Sequence, residues 1–370
     1  MQKFFGSFFQ KRTAFFVLAR MFRILTARHP GETHVALLRE GVLDEFYIHR
    51  PAAPDGIGDV HVGRVIARVP AMAGAFVAID DAEGFLPDTG GAATLTEGSY
   101  LLVRVTRAAQ GGKGPRLTGR LAPDEAVETP AGPVRRLRPG PTPLEELQAA
   151  YQDAPVAHGA FPDDVAADID ALATAAFTLH GGMHGTVTPT PALTAIDLDM
   201  GAGTGANLPK ASAQFAANRD AIPELARQIR LRNLSGAVLI DFAGIPAKRR
   251  AALAPTLEAA LQSDRLKPRL AGISALGFAE ILRPRRRPPL HEVLRGPLAA
   301  GLAALREAAA TAAQNPATRL ALRAPPSVIA ALQSHPAALA DLAHVSTHPL
   351  LLRSDPTLPP ERCLIEDARA

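Results

Sequence analysis

At 370 residues the chain is too long for one ordinary hydrophobic core and should divide into two or three domains. A hydrophobic fraction of 47% with 21% charged residues is that of a folded globular protein, which excludes collagen-like and disordered classes. Net charge is only +4, but 34 of the 40 basic residues are Arg, whose planar fork suits phosphate, so the balance leans toward an anionic partner. A GC-rich coding sequence accounts for much of the Arg and Ala richness.

Residues 1–20 carry Lys3, Lys11 and Arg12 among aromatic clusters. Their apolar part is too short to span a bilayer and has no clear cleavage site, so the stretch reads as an upstream start or a disordered arm, with no membrane association expected. The single cysteine, Cys363, can build neither a disulfide framework nor a zinc site within one chain, and it fits a reducing cytoplasm. From Phe22 to Arg50 the residues alternate in strand fashion around a turn at Glu40-Gly41, which predicts a meander (21–55). Five short apolar runs follow between residues 56 and 122, at 63–69, 75–79, 84–87, 100–106 and 116–121, and predict a small closed barrel of OB type. Within it Gly111-Gly112-Lys113-Gly114 is not a phosphate-binding P-loop, since no Ser/Thr and no helix follow.

Prolines and glycines then accumulate, and residues 123–158 read as a linker with one short helix, 144–151. Between 159 and 290 strand-like and helix-like runs alternate, as in an α/β layer: a helix at 165–177, a strand at 192–199, a helix at 211–232 interrupted or kinked at Pro223, a strand at 237–241 and a helix at 248–266. Residues 291–370 predict a small α/β domain, with helices at 294–313 and 327–332, a further segment at 319–324 and a strand near 345–352.

The densest chemical signal lies at the ends of the two middle strands. Asp197 and Asp199 are two apart and share a face, while Ile196 and Leu198 turn away. A right-handed helical crossover makes the two strands parallel neighbours, so Asp241 joins them at one edge. Three carboxylates converging there repel one another unless a hard cation sits among them, and oxygen-only ligands suit magnesium or manganese. Strand-end aspartates taken alone also serve as loop and helix caps. Gly201, Gly203 and Gly205 read as a flexible loop beside the site, and His180 and His184 as surface or structural residues in a glycine-rich turn.

The run 192–197 (ALTAID), then 225–236 (LARQIRLRNLSG) and 239–242 (LIDF), together with Asn218 and with Ile273, Ser274, Gly277, Glu280, Arg283 and Arg285, resembles the catalytic core of the ribonuclease E/G family. Upstream, Ala75-Phe76-Val77, Gly84-Phe85-Leu86-Pro87, Gly112-Lys113-Gly114 and Leu117-Thr118 are similar to that family's OB-fold RNA-binding insert. The resemblance implies a multidomain α+β and α/β chain: an RNase H-like/deoxyribonuclease-I-like catalytic α/β core with an inserted OB-fold β-barrel and a small C-terminal α/β domain. It implies a cytoplasmic endoribonuclease acting on single-stranded RNA, with Asp197 and Asp241 holding Mg2+ (Mn2+ as a substitute) and Asp199 standing where the family usually has asparagine. Gly244 stands where the family tends to have another acid. Phe76, Phe85, Lys113, Arg283 and Arg285 are the implied RNA contacts. The family's 5′-monophosphate sensor and its zinc-linking Cys-x-x-Cys have no counterpart here, so no 5′-end sensing and no zinc are expected; a homodimer fits, a zinc-linked tetramer does not. The rival expectation is a noncatalytic RNA-binding or ribosome-maturation protein that kept the barrel and lost turnover.

Overall fold

In the computed structural model, residues 21–80, 82–125, 131–201 and 210–369 are described. The N-terminal extension, the loop glycines Gly203 and Gly205, and Pro130 lie outside the described residues.

The chain opens with the expected meander, β1 (Phe22–His29), β2 (Glu32–Arg39) and β3 (Val42–His49), paired antiparallel in order. Glu40 and Gly41 both take positive φ, 52° and 84°, the conformation of a two-residue hairpin turn whose twist matches the strands. At the other turn Gly31 has φ 74°, and a Cβ there would lie 2.6 Å from the Cβ of Ala338 and 2.7 Å from Leu302, so only glycine allows this approach.

Strands β4 (Val60–Val69), β5 (Gly74–Ile79), β6 (Ala82–Pro87), β7 (Tyr100–Arg107) and β8 (Arg116–Thr118) close a ring in the order β4-β5-β6-β8-β7-β4, with β6 and β8 parallel. This is the closed five-stranded barrel read from the sequence, and it is consistent with an OB-fold. Its interior is filled by alternate residues, among them Val65, Val77, Leu86, Val103, Val105 and Leu117, all nearly inaccessible.

The stretch read as a linker is bound to this barrel. It contains β9 (Arg135–Arg138), which adds to the free edge of β4. Glu125 is buried and accepts from Arg104 at 2.7 Å and Arg138 at 3.0 Å, while Asp59 accepts from the Gly140 amide at 2.6 Å. The sequence disguises this strand because Arg-Arg-Leu-Arg has no apolar alternation; ion pairs fix it instead.

Helix α1 (Pro143–Ala150) begins with a capping box between Thr142 and Glu145, and β10 (Val156–His158) then returns parallel to β1. Helix α2 (Asp163–Ala171) is shorter than expected, because Phe177 belongs to a strand, β11 (Ala176–Thr178). Strands β12 (His184–Pro189) and β13 (Leu193–Asp199), helix α3 (Lys210–Leu231), β14 (Gly236–Asp241), the short helices α4 (Ala247–Arg250) and α5 (Ala254–Leu261), β15 (Arg269–Ile273) and β16 (Ala279–Arg283) complete a six-stranded sheet, ordered β11-β12-β13-β14-β16-β15. Pro223 lies inside α3 without ending it. One face of the sheet packs with α3 and α5 in a core that includes Ile196, Leu198, Ile222, Leu225, Ile229, Ile240 and Leu257.

The remaining elements are α6 (Leu290–Val293), α7 (Pro297–Gln314), β17 (Leu320–Ala324), α8 (Pro326–Gln333), α9 (Pro336–Val345), β18 (Leu351–Ser354) and β19 (Leu364–Asp367). Val345 ends a helix, and the strand expected around it starts only at Leu351. The sheet β18-β17-β19 carries α7, α8 and α9 on its core.

Two compact units result: residues 21–55, 142–168 and 291–369 form one, and residues 56–141 and 169–290 the other. The barrel thus shares a unit with the segment that bears the aspartates, and the N-terminal meander shares one with the C-terminal segment; the boundaries drawn from the sequence follow chain order and separate them. In the first unit Glu32 is the tie. Its buried carboxylate accepts from Arg50 at 2.9 Å and from Arg306 of α7 at 2.9 Å, with His34 at 3.4 Å.

Burial alone would raise the Glu32 carboxyl, but the hydrogen bond from His34 and the charge of Arg50 bring it down to about 2. Because its folded value lies below the ordinary 4.5, the stabilisation is complete above pH 4.5 and is lost as pH falls toward 2. Glu32→Ala should cost roughly 3 kcal/mol at neutral pH, since it strands two arginines. Thermal melts across pH 2–7 test this, with the variant's deficit shrinking at the acid end.

Candidate active site

Strands β13 and β14 are parallel, and in their register Asp197 is the direct partner of Asp241. The α3 crossover dictates this arrangement. Ile196 and Ile240, partners one step earlier, are buried on the helix side, so both aspartates point to the opposite face, where Asp197 is exposed and Asp241 half-buried. Asp199 shares that face but lies two residues beyond the end of β14, about 6.6 Å further along the strand. Among the described residues no group of three or more His, Cys, Asp or Glu side chains is placed to hold a metal ion. The expected convergence of three carboxylates therefore reduces to one cross-strand pair, with Asp199 outside it. Opposite Asp199, on β12, stands His184, which the sequence reading assigned to a turn; His180 is the one in the turn, so the two do not act together.

Asp241 has a partner that sequence reasoning missed. Arg250 donates to its Oδ1 at 2.5 Å, and the same guanidinium is held by the carbonyls of Ile245 at 2.8 Å and Gly277 at 3.1 Å. In the sequence Arg250 is the last of three consecutive basic residues at the start of a helix, a pattern that ordinarily marks a solvated face.

The loop after Asp241 is clamped from beneath. Asn218 of α3 is fully buried; its Nδ2 donates to the carbonyls of Ala243 at 2.9 Å and Gln214 at 2.7 Å, and its Oδ1 accepts from the Ala243 amide at 3.0 Å. With Phe242 buried between these residues, the carboxylate of Asp241 has a fixed base. Gly244 has φ 64°, and a Cβ there would lie 2.5 Å from the amide of Gln214, so the acid the family tends to have at this place would need Gln214 to move.

Much of the motif around Leu225–Gly236 is structural. Asn233 closes α3 in the left-handed conformation, φ 47°, with the Leu234 amide returning to the Ile229 carbonyl at 3.0 Å. Arg232 lies over the ring of Phe177 and bonds Gln228, and burial brings its pKa down to about 10. Arg283, an expected RNA contact, belongs to the same knot. It is 5% exposed, donates to Asp264 at 2.7 Å and to Asn233 Oδ1 at 2.7 Å, and cannot reach a ligand. Burying a guanidinium requires such a partner set, which removes it from the surface. Arg285 is exposed and lies over Gly236.

On the barrel, Phe76 and Phe85 are cross-strand partners on the outer face, half-buried, with ring centroids 5.6 Å apart. Neither is part of the barrel core. Lys113 is exposed in the β7–β8 turn, where Gly111 and Gly112 supply positive φ.

Asn218→Ala would leave the buried Ala243 amide and carbonyl unpaired, at a cost of about 2–4 kcal/mol. The expected outcome is a lowered melting temperature together with loss of any function that depends on Asp241; an unchanged melting curve would contradict the clamp.

Sequence comparison bears on this same region. The Ribonuclease E/G family profile matches residues 151–286. Ribonuclease G of Escherichia coli (strain K12) is 38% identical over 118 residues, which is 31% of this chain and 24% of that protein. Ribonuclease E of a Nostoc species is 31% identical over 116 residues, 31% of this chain and 17% of that protein, and ribonuclease E of a Synechocystis species is 32% identical over 120 residues, 32% and 18%. The alignments thus span about a quarter or less of these relatives. The segment that carries both paired aspartates, residues 151–286, is thus the part of the chain that is similar to the ribonuclease E/G family.

Proposed function

We propose that this protein is a magnesium-dependent endoribonuclease that cuts single-stranded RNA, in RNA processing or decay, with an RNase H-like/deoxyribonuclease-I-like core and an OB-fold barrel that grips the strand. The observation that carries the reading is the pairing of Asp197 with Asp241 at the carboxyl ends of two parallel strands, inside the family-matched segment.

The donor set suits Mg2+, with Mn2+ as a substitute. Magnesium is commonly held by one or two carboxylates, keeps several waters and takes its other ligands from phosphate oxygens. Two adjacent carboxylates on an exposed sheet face leave that room. Bound there, the ion would neutralise phosphoryl oxygens and lower the pKa of water, leaving a 5′ phosphate and a 3′ hydroxyl. The chain's own residues do the positioning: Asn218 and Phe242 fix the loop behind Asp241, Phe76 and Phe85 offer rings on which bases stack, and Lys113 and Arg285 offer cationic groups to the backbone. Nothing between β9 and β10 resembles a 5′-end sensor, and Cys363 alone cannot build a zinc link, so we read the enzyme as indifferent to the 5′ terminus, zinc-free and at most a homodimer, working in the cytoplasm. Among the described residues no helix is long and apolar enough to cross a membrane.

One observation favours a second reading, a noncatalytic RNA-binding or ribosome-maturation protein. Arg250 already neutralises Asp241, which is the charge a metal would answer.

Two measurements separate the readings. With an unpaired, end-labelled oligonucleotide and titrated Mg2+, Asp197→Asn or Asp241→Asn should lower cleavage by more than about 100-fold, several kcal/mol of lost metal assistance, while RNA binding persists. Equal cutting by native and variant chains would contradict the nuclease; RNA binding without cutting by any of them would favour the second reading. In that case Arg250→Ala should tighten Mn2+ binding, read by electron paramagnetic resonance of free Mn2+, because it releases Asp241.

A further inference from the structure

On the outside of the barrel one row of side chains crosses four strands. Phe76 of β5 partners Phe85 of β6, Phe85 partners Arg116 of β8, and Arg116 partners Arg107 of β7. The last pairing exists because the ladder slips between Val105 and Arg107, leaving Thr106 as an extra residue. Without that bulge Arg107 would follow Val105 toward the barrel interior; the bulge re-aims it outward. The guanidinium of Arg116 stands 5.9 Å from the Phe85 ring.

A third guanidinium comes from the chain after β16. The Ala108 amide donates to the Arg286 carbonyl at 2.8 Å, which sets Arg107 and Arg285 beside each other, one residue back on each segment. Burial, then Arg116 and Arg285, push the Arg107 pKa down. Its Nε is buried and has no hydrogen-bond partner, and among the described residues no carboxylate pairs with any of the three. Like charges directly across a ladder destabilise it, and a buried guanidinium N–H left unpaired costs more. Several other arginines of the protein are matched to acids, as at Asp264, Glu125 and Glu32.

The geometry points to Arg107, Arg116 and Arg285 as a phosphate clamp for single-stranded RNA, set beside the Phe76–Phe85 stacking shelf so that bases lie on the rings and consecutive backbone phosphates meet the three guanidiniums. The inference rests on the RNA-binding reading above and goes beyond it by naming Arg107 and Arg116 and the role of the bulge. Guanidinium forks satisfy phosphate oxygens in pairs. Stacking platforms flanked by cationic grooves are the general means of gripping an unpaired strand.

Fluorescence anisotropy with a labelled, unstructured 12-nucleotide RNA in EDTA, at several salt concentrations, tests the clamp without any cleavage. Arg107→Ala, Arg116→Ala and Arg285→Ala should each weaken binding by about tenfold at low salt. Each should also flatten the log–log salt slope by about 0.7, one phosphate contact on a single strand. Arg107→Ala and Arg116→Ala should melt no lower than the native chain, since each relieves repulsion. Unchanged affinity and slope in all three, with Phe85→Ala still weakening binding, would overturn the clamp and leave the RNA reading standing. Absence of RNA binding by the native chain would overturn both, and weakened binding that merely follows a lowered melting temperature would assign the arginines to structure.

Discussion

Two carboxylates side by side on neighbouring strands repel each other, and the protein holds them there. The parallel register of β13 and β14 leaves Asp197 and Asp241 no choice of neighbour, because a slip of one residue would turn them into the core and Ile196 and Ile240 out to water. The apolar layer under the sheet therefore enforces the acidic pair above it. Such a pair asks for positive charge, and the fold supplies Arg250 on one side of it and an open face on the other.

The same logic appears with the opposite sign on the barrel. There Arg107 and Arg116 face each other across a ladder beside Arg285, and the strand bulge that produces the contact is a departure from regular pairing. Within one compact unit the molecule thus keeps an acidic pair, answered on one side by Arg250, and a basic cluster with no acid beside it among the described residues. Charge in the core is paired, as in Arg283 with Asp264.

The sequence made the acidic pair legible because strand alternation and the crossover rule act locally and carry through to the sheet edge. The barrel was legible for a similar reason, five short alternating runs. What escaped was set by long-range charge. Arg135–Arg138 hides a strand because its partners, Asp59 and Glu125, lie on other segments. Arg283 and Arg285 look alike in a basic run, and only Asp264, nineteen residues upstream, distinguishes the buried one from the exposed one. Arg250 and the outward turn of Arg107 gave no local signal, since one depends on a loop and the other on a bulge. The division into units escaped as well, because Glu32 and Arg306 are 274 residues apart.

The central claim is that Asp197 and Asp241 jointly answer to a divalent cation. Anomalous diffraction from crystals of the native chain equilibrated with Mn2+ addresses it directly. The account predicts one anomalous peak between the two carboxylates, with Arg250 drawn away from Asp241. Crystals saturated with Mn2+ that show no peak there, and an intact Arg250–Asp241 contact, would contradict it.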